Sequence, residues 1–188
     1  MDKKIINIEE FKERLLVLLK TEAFRKGNFV LSSGKTSNFY LDGRVLTLTP
    51  EGVYLAAYII LDMVKDKGIH AIGGPTLGAD PIVGAIGAIS HIENIPLKTF
   101  IVRKHAKGHG MQKQIEGPEL VRGSRVVIID DVATSGKSLL EAKEALDNAG
   151  VSIEEAIVLV DRQEGAQQNL SQAGVRFRSI FTIQDLDK

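Results

Sequence analysis

The chain has no cysteine, so no disulfide framework holds it together and no thiolate can act as its nucleophile. It also has no net charge, because 24 lysines and arginines balance 24 aspartates and glutamates. No chain-wide field favours nucleic acid or a membrane surface, and any attraction for an anionic ligand has to be local. No apolar run approaches the ~20 residues of a membrane-spanning helix. The opening Met1-Asp2-Lys3-Lys4 is followed by only two isoleucines before polar residues return, which is not the pattern of a secretory leader. These absences lead to the expectation of a cytoplasmic protein that binds neither nucleic acid nor membrane. No internal repeat, low-complexity tract or interdomain linker interrupts the 188 residues. That length suits one domain, 1–188, with a full core.

The pattern along the chain alternates. Asn7 is placed to cap a first helix, Glu10 to complete a capping box and Ile6 to pack onto Phe11. Residues 29–31 and 38–41 read as two short strands around a Ser-Gly-Lys-Thr-Ser turn. Thr49-Pro50-Glu51 opens a long helix with proline in its first turn, running to Gly68. A strand is predicted over 69–72, a turn over 73–78 and a helix from Asp80-Pro81. Strands follow at 97–102 and 125–129, a helix at 137–148, and strands at 156–160 and 176–183. Strands alternating with helices predict an α/β fold with a doubly wound, mostly parallel sheet flanked by helices. The N-terminal helix and hairpin, about 1–45, fall outside the alternation and would form a small hood over the strand ends.

One segment carries chemistry. Val126 to Ile129 is a continuous apolar run, as expected of a parallel strand covered on both faces. Asp130 and Asp131 follow at its carboxyl end, where open α/β sheets bind ligands. Then come Val132, Ala133, Thr134, Ser135, Gly136, Lys137 and Ser138, a hydroxyl- and glycine-rich bend opening a helix. Backbone N–H groups of such a bend and of the first helical turn lack partners, and the helix dipole favours an anion there. Gly136-Lys137-Ser138 imitates the end of a nucleotide-binding P-loop, but the glycine required five positions before Gly136 is Asp131, a carboxylate that would repel phosphate. Helix capping alone normally uses one acid, not two directly after a buried strand. A sugar diol beside a phosphate is the ligand that this arrangement suits.

A second stretch, about 103–122, lacks apolar periodicity and is long for a loop in a compact domain. Arg103, Lys104, His105, Lys107 and His109 alternate there with Gly108 and Gly110. A lid that closes over a polyanion and excludes water accounts for this composition better than a solvated face does.

Val126 to Ser138 resembles the phosphoribosyl-pyrophosphate signature of the type I phosphoribosyltransferases. Three further segments, Leu31 to Asp42, Arg103 to Gly110 and Asp161 to Gly165, resemble those of the orotate phosphoribosyltransferases within that family. The resemblance covers nearly the whole chain. It implies transfer of the phosphoribosyl group from phosphoribosyl pyrophosphate to orotate, giving orotidine 5′-monophosphate and pyrophosphate in UMP biosynthesis. Asp130 and Asp131 would bind the ribose hydroxyls and stabilise developing positive charge on the sugar. Residues Val132 to Ser138 would cradle the 5′-phosphate. Arg103 and Lys104 would hold the pyrophosphate, and Lys107 and His109 would neutralise it as it leaves. Thr134 and Arg162 would contact orotate, and Phe39 or Tyr40 would stack on it, since strand alternation lets only one of the two face the ligand. Mg²⁺ would be held mainly by substrate and water, with no direct protein ligand. The resemblance further implies a homodimer in which each lid serves the neighbouring subunit.

Two positions depart from the family pattern. Many orotate enzymes carry a lysine where Ser32 stands and another in the turn that here reads Thr76-Leu77-Gly78. Gly73, Gly74 and Gly78 would let backbone N–H groups approach pyrophosphate instead, and Lys35 could replace the missing charge. A related phosphoribosyltransferase acting on a purine or another pyrimidine is the first alternative, and Arg162 argues against it because neutral adenine offers that cation no carboxylate. A sensor that keeps the fold without catalysis is the second, and the basic lid argues against that. Arg162 has its own plainer role, an ion pair with Asp161 or Glu164.

Overall fold

The computed structural model describes residues 6–30, 36–104 and 114–188. Helix α1 (Ile8–Leu18) passes through a π-turn (Leu19–Ala23) into a two-stranded antiparallel sheet, β1 (Phe24–Val30) and β2 (Thr36–Leu41). Short α2 (Arg44–Thr47) and long α3 (Pro50–Val64) lead to β3 (Ala71–Pro75). Then come α4 (Asp80–Ile92), β4 (Lys98–Val102), β5 (Ile115–Glu116), β6 (Arg125–Ala133), α5 (Lys137–Asn148), β7 (Ser152–Asp161), α6 (Ala166–Gln172), β8 (Phe177–Thr182) and α7 (Ile183–Asp187).

Six strands form the central sheet in the order β5-β4-β3-β6-β7-β8. All pair in parallel except β5, which returns antiparallel along β4. Alternation along β6 splits the core into two. Val127 and Ile129 join Leu55, Ile59, Ile82 and Ile86 of α3 and α4 on one face. Val126 and Ile128 join Leu139, Leu146 and Leu170 of α5 and α6 on the other. Helices on both faces of a parallel sheet are the doubly wound arrangement that the alternating pattern predicts.

Local chemistry sets the helix ends. The Glu10 N–H donates to Asn7 Oδ1 at 3.4 Å and the Gly52 N–H to Thr49 Oγ1 at 3.2 Å, each relieving an orphan donor of the first turn. Among the described residues the reciprocal bond from the Glu10 side chain is not formed. Helix α3 ends at Val64, earlier than Gly68, because Lys65 is already extended at ψ 147° and Asp66 then turns left-handed at φ +64°.

Two predicted strand ends lie further along the chain than expected. Strand β3 runs through Gly73 and Gly74 into Pro75, where a turn is predicted. A Cβ on Gly73 would collide with the Phe100 carbonyl of β4, and one on Gly74 with the Ile129 carbonyl of β6. These glycines let three strands pack closely, and they do not form a phosphate-facing turn. Strand β6 likewise continues four residues past its predicted end, with Asp130 opposite Val158 and Ala133 opposite Asp161 of β7. Its last part overhangs β3, whose ladder with β6 stops at Gly73–Ile128.

At the far end of the sheet Glu155, only 1% exposed, receives both Arg178 and Lys67. Arg178 also donates to the Met63 carbonyl near the end of α3, at 3.1 Å. On the hood, Lys26 of β1 bonds the Asp187 carbonyl at 3.1 Å and its carboxylate at 2.9 Å, tying α7 to the hairpin. Among the described residues no helix is long and apolar enough to cross a membrane.

Candidate active site

The overhang of β6 delivers two adjacent carboxyl groups to the carboxyl edge of the sheet. Asp130 is 6% exposed and Asp131 9%. Asp130 accepts hydrogen bonds from Ser138 Oγ at 2.8 Å and from the Asp131 N–H at 3.0 Å, and Asp131 accepts from the Val132 N–H at 2.8 Å. Burial, followed by the neighbouring Asp131 charge, pushes the Asp130 carboxyl up to about 8. Burial raises Asp131 as well.

The bend after β6 is held from outside. Gly136 stands at φ +76° as the entry to α5, which favours glycine there. Asn169 of α6 donates to the Ser135 carbonyl at 2.9 Å. The Arg162 N–H donates to the Ala133 carbonyl at 2.9 Å, locking the end of β7 against the same bend. Thr134, Ser135 and Lys137 remain exposed, and Lys137 sits 3.7 Å from Glu141.

Two cavities share Thr76, and the diacid lines the second of them. One, of about 260 Å³, is lined by Thr76, Arg103, Lys104, Lys137 and Ser138. The other, of about 420 Å³, is lined by Tyr40, Arg44, Leu77, Asp131, Thr134 and Arg162. The cations expected to hold pyrophosphate and the residues expected to meet the base thus line different cavities, and Asp130 and Asp131 belong to the second. The Thr76–Leu77 peptide is cis, and the Thr76 hydroxyl donates to Asp80 Oδ2 at 2.8 Å.

Arg162 is only 9% exposed. Its Nε lies 2.9 Å and its Nη2 2.8 Å from Glu164 Oε1, and its guanidinium sits over the Phe39 ring, 4.7 Å from the centroid. Glu164 is therefore the ion-pair partner, while Asp161 accepts from the Gln163 N–H at 2.8 Å. Phe39 also packs on Phe24 and the core behind it, whereas Tyr40 is 42% exposed and lines the larger cavity.

Lys107 and His109 lie outside the described residues, as do Ser32 and Lys35. The ends of the basic segment meet, because the Arg103 N–H donates to the Gln114 carbonyl at 2.8 Å. The expectation for Gly78 changes. A Cβ there would strike Oδ1 of both Asp130 and Asp131, so this position is filled by the carboxylates themselves.

That collision also bears on metal binding. The two Oδ1 atoms converge on one point, and among the described residues no third histidine, cysteine or acid joins them. Two hard oxygen donors without a full cage suit Mg²⁺ that keeps water and takes its other ligands from substrate.

Sequence reasoning missed the hood triplet Asp42-Gly43-Arg44. A Cβ on Gly43 would lie 2.7 Å from Asp131 Oδ2, so the hood touches the diacid directly. The signal was present: an acid, a glycine and a base directly after an apolar strand end, the same logic that exposes Asp130.

Residues 54–180 match the phosphoribosyl transferase domain family. The chain is 42% identical over 185 residues to an orotate phosphoribosyltransferase of Synechocystis sp., covering 98% of this chain and 93% of that one. The crystal structure of the Mycobacterium tuberculosis orotate phosphoribosyltransferase with Fe(III) dicitrate superposes with a TM-score of 0.82 at 35% identity, covering 95% of this chain and 99% of that one. The same enzyme in complex with phosphoribosyl pyrophosphate gives a TM-score of 0.78 at 31% identity, with the same coverage. Likeness at this level, sustained over nearly the whole length, shows that the chain belongs to the orotate phosphoribosyltransferase family.

Proposed function

We propose that the protein transfers the 5-phosphoribosyl group from phosphoribosyl pyrophosphate to orotate, giving orotidine 5′-monophosphate and pyrophosphate in pyrimidine biosynthesis. One observation carries the reading: Asp130 and Asp131 line one cavity with Arg162 and Tyr40, and that cavity shares Thr76 with a second one lined by Arg103, Lys104 and Lys137. A donor spanning the two cavities would keep its pyrophosphate on the basic side and offer its anomeric carbon to the other.

The diacid holds the ribose hydroxyls while the 5′-phosphate sits against the N–H groups of the Thr134–Ser138 bend. The anomeric C–O bond to pyrophosphate breaks, a ring nitrogen of orotate forms the new bond to that carbon, and the N–H proton it gives up leaves with the pyrophosphate or passes to water. The sugar gains positive charge as pyrophosphate departs, and the acids placed beneath it stabilise that charge. Arg103 and Lys104 keep the pyrophosphate, with Lys107 and His109 meeting its growing charge. Mg²⁺ bound to the donor's own oxygens would supply further neutralisation of the leaving group. Tyr40 stacks on the pyrimidine, and Phe39 supports Arg162 from behind. The hood, about 1–45, forms one wall of this single domain. The basic part of the 103–122 stretch, ahead of β5, acts as a lid that excludes water and so prevents hydrolysis of the donor. The protein works in the cytoplasm as a homodimer, each lid closing on the partner's site.

Pyrophosphate release with Mg²⁺, phosphoribosyl pyrophosphate and a panel of bases tests the proposal. Release with orotate and not adenine supports it. Activity with adenine alone overturns it. In the same assay Lys107→Ala should lower the maximal rate more than it weakens donor binding, because its contact strengthens as the leaving group departs.

A further inference from the structure

The hood places a charged pair in the cleft that the mechanism above does not use. Arg44 Nε and Nη2 each lie 2.9 Å from the Asp42 carboxylate, and the Arg44 N–H reaches Asp42 Oδ1 at 3.0 Å. A two-pronged pair fixes the plane of the guanidinium. The Arg44 side chain is 48% exposed and lines the same cavity as Tyr40, Asp131 and Arg162. The neighbouring Gly43 fits tightly against Asp131, which sets the triplet directly beside the diacid.

The charge balance of this cavity makes Arg44 matter. Asp42, Asp130 and Asp131 all line it, and orotate brings a further carboxylate. Among the described residues only Arg44 and Arg162 oppose them as lining cations. Arg162 is buried, with Nε and Nη2 taken by Glu164 and its face covered by Phe39. Gly78 has no room for a side chain, so a cation cannot come from there. Arg44 keeps Nη1 without an acceptor among the described residues, on a guanidinium that Asp42 already orients.

We propose that Arg44 is a specificity-determining residue whose Nη1 edge binds the carboxylate of the anionic pyrimidine, with Asp42 acting as its positioning residue. The inference rests on the reading of this cavity as the base site. Arg44 then selects an acidic base over a neutral one of the same shape, because a neutral ring leaves the charged edge unpaired in a partly closed cleft.

The test compares wild type, Arg44→Gln and Arg44→Lys by pyrophosphate release, with orotate and donor varied in turn. Uracil, which lacks the carboxylate, serves as a competitive inhibitor against orotate. Arg44→Gln should raise KM for orotate roughly tenfold or more, the loss expected of a charge-assisted hydrogen bond. KM for the donor should change less than about twofold, uracil inhibition should stay the same, and Arg44→Lys should recover part of the loss, as a point charge without the fork does. An active wild type whose orotate KM is unchanged by Arg44→Gln overturns the assignment. So does an equal weakening of orotate and uracil, which would mean that Arg44 only shapes the cleft. A wild type inactive with orotate overturns the base-site reading itself, and this inference with it.

Discussion

Gly78 and Asp130 share one volume: the space that a side chain on Gly78 would need is occupied by Asp130 Oδ1. Asp131 Oδ1 crowds the same point, so both acids stand where a larger residue at 78 would put its side chain. Gly78→Ala is therefore expected to turn both carboxyl groups. Activity should fall about tenfold or more, because misplacement by about 1 Å suffices for that. Thermal stability should move little, since the atoms displaced are the ends of side chains. Gly78→Lys should not improve activity either. Steady-state rates beside a melting curve check both outcomes.

Asp130→Asn separates stability from catalysis. The folded carboxyl is raised to about 8, above an unfolded value of about 4. Its contribution is thus fully present below pH ~4, declines as pH rises and is lost once pH passes the folded value. Asparagine has no charge to bury. The variant should melt near wild type at pH 4 and above it at pH 9, while activity falls on the order of a hundredfold. Melting temperatures across that range decide the matter, and a variant less stable at pH 9 would contradict it.

Phe39→Leu should act through Arg162. The ring supports the guanidinium at 4.7 Å and also packs against Phe24. Removing it frees Arg162 to swing, so KM for orotate should rise more than KM for the donor. Arg162→Ala should give the same pattern more strongly. Equal effects on both substrates would place Arg162 elsewhere.

Glu155→Gln examines the end of the sheet remote from the site. Burial works to raise this carboxyl, but Arg178 and Lys67 outweigh it and hold it below its ordinary value. The stabilisation is present above the unfolded pKa of about 4.3 and lost as pH falls through the folded value. Breaking such a buried cluster costs about 3–5 kcal/mol. Melting should drop by roughly 6–20 °C at pH 7, at about 2–4 °C per kcal/mol for a chain of this size. The deficit should shrink in acid, and activity at room temperature should survive.

The sequence made the chemistry of the site legible better than its boundaries. Val126 to Ile129 announced a buried strand, yet two acids looked like its end. They pair on as strand because β7 offers partners as far as Asp161, and only the missing neighbour on the β3 side exposes them. Gly73 and Gly74 read as a turn because close packing between strands leaves no local signature. Helices α2, α6 and α7, of four, seven and five residues, are too short for apolar periodicity to reveal. A capping box from Thr182 to Asp185 was the available sign for α7. The Arg162–Glu164 pair was among the possibilities that sequence proximity offered, whereas Phe39 beneath it is a long-range contact that spacing cannot show.

The upward push that burial gives the Asp130 carboxyl has a calorimetric consequence. A donor that requires this carboxyl in its charged form draws it toward the carboxylate and releases the proton that burial favours. The heat of titration would then include the enthalpy of whichever buffer accepts that proton. Measured in phosphate and in Tris, the apparent binding enthalpies should differ, and the slope against buffer ionisation enthalpy would count the protons released.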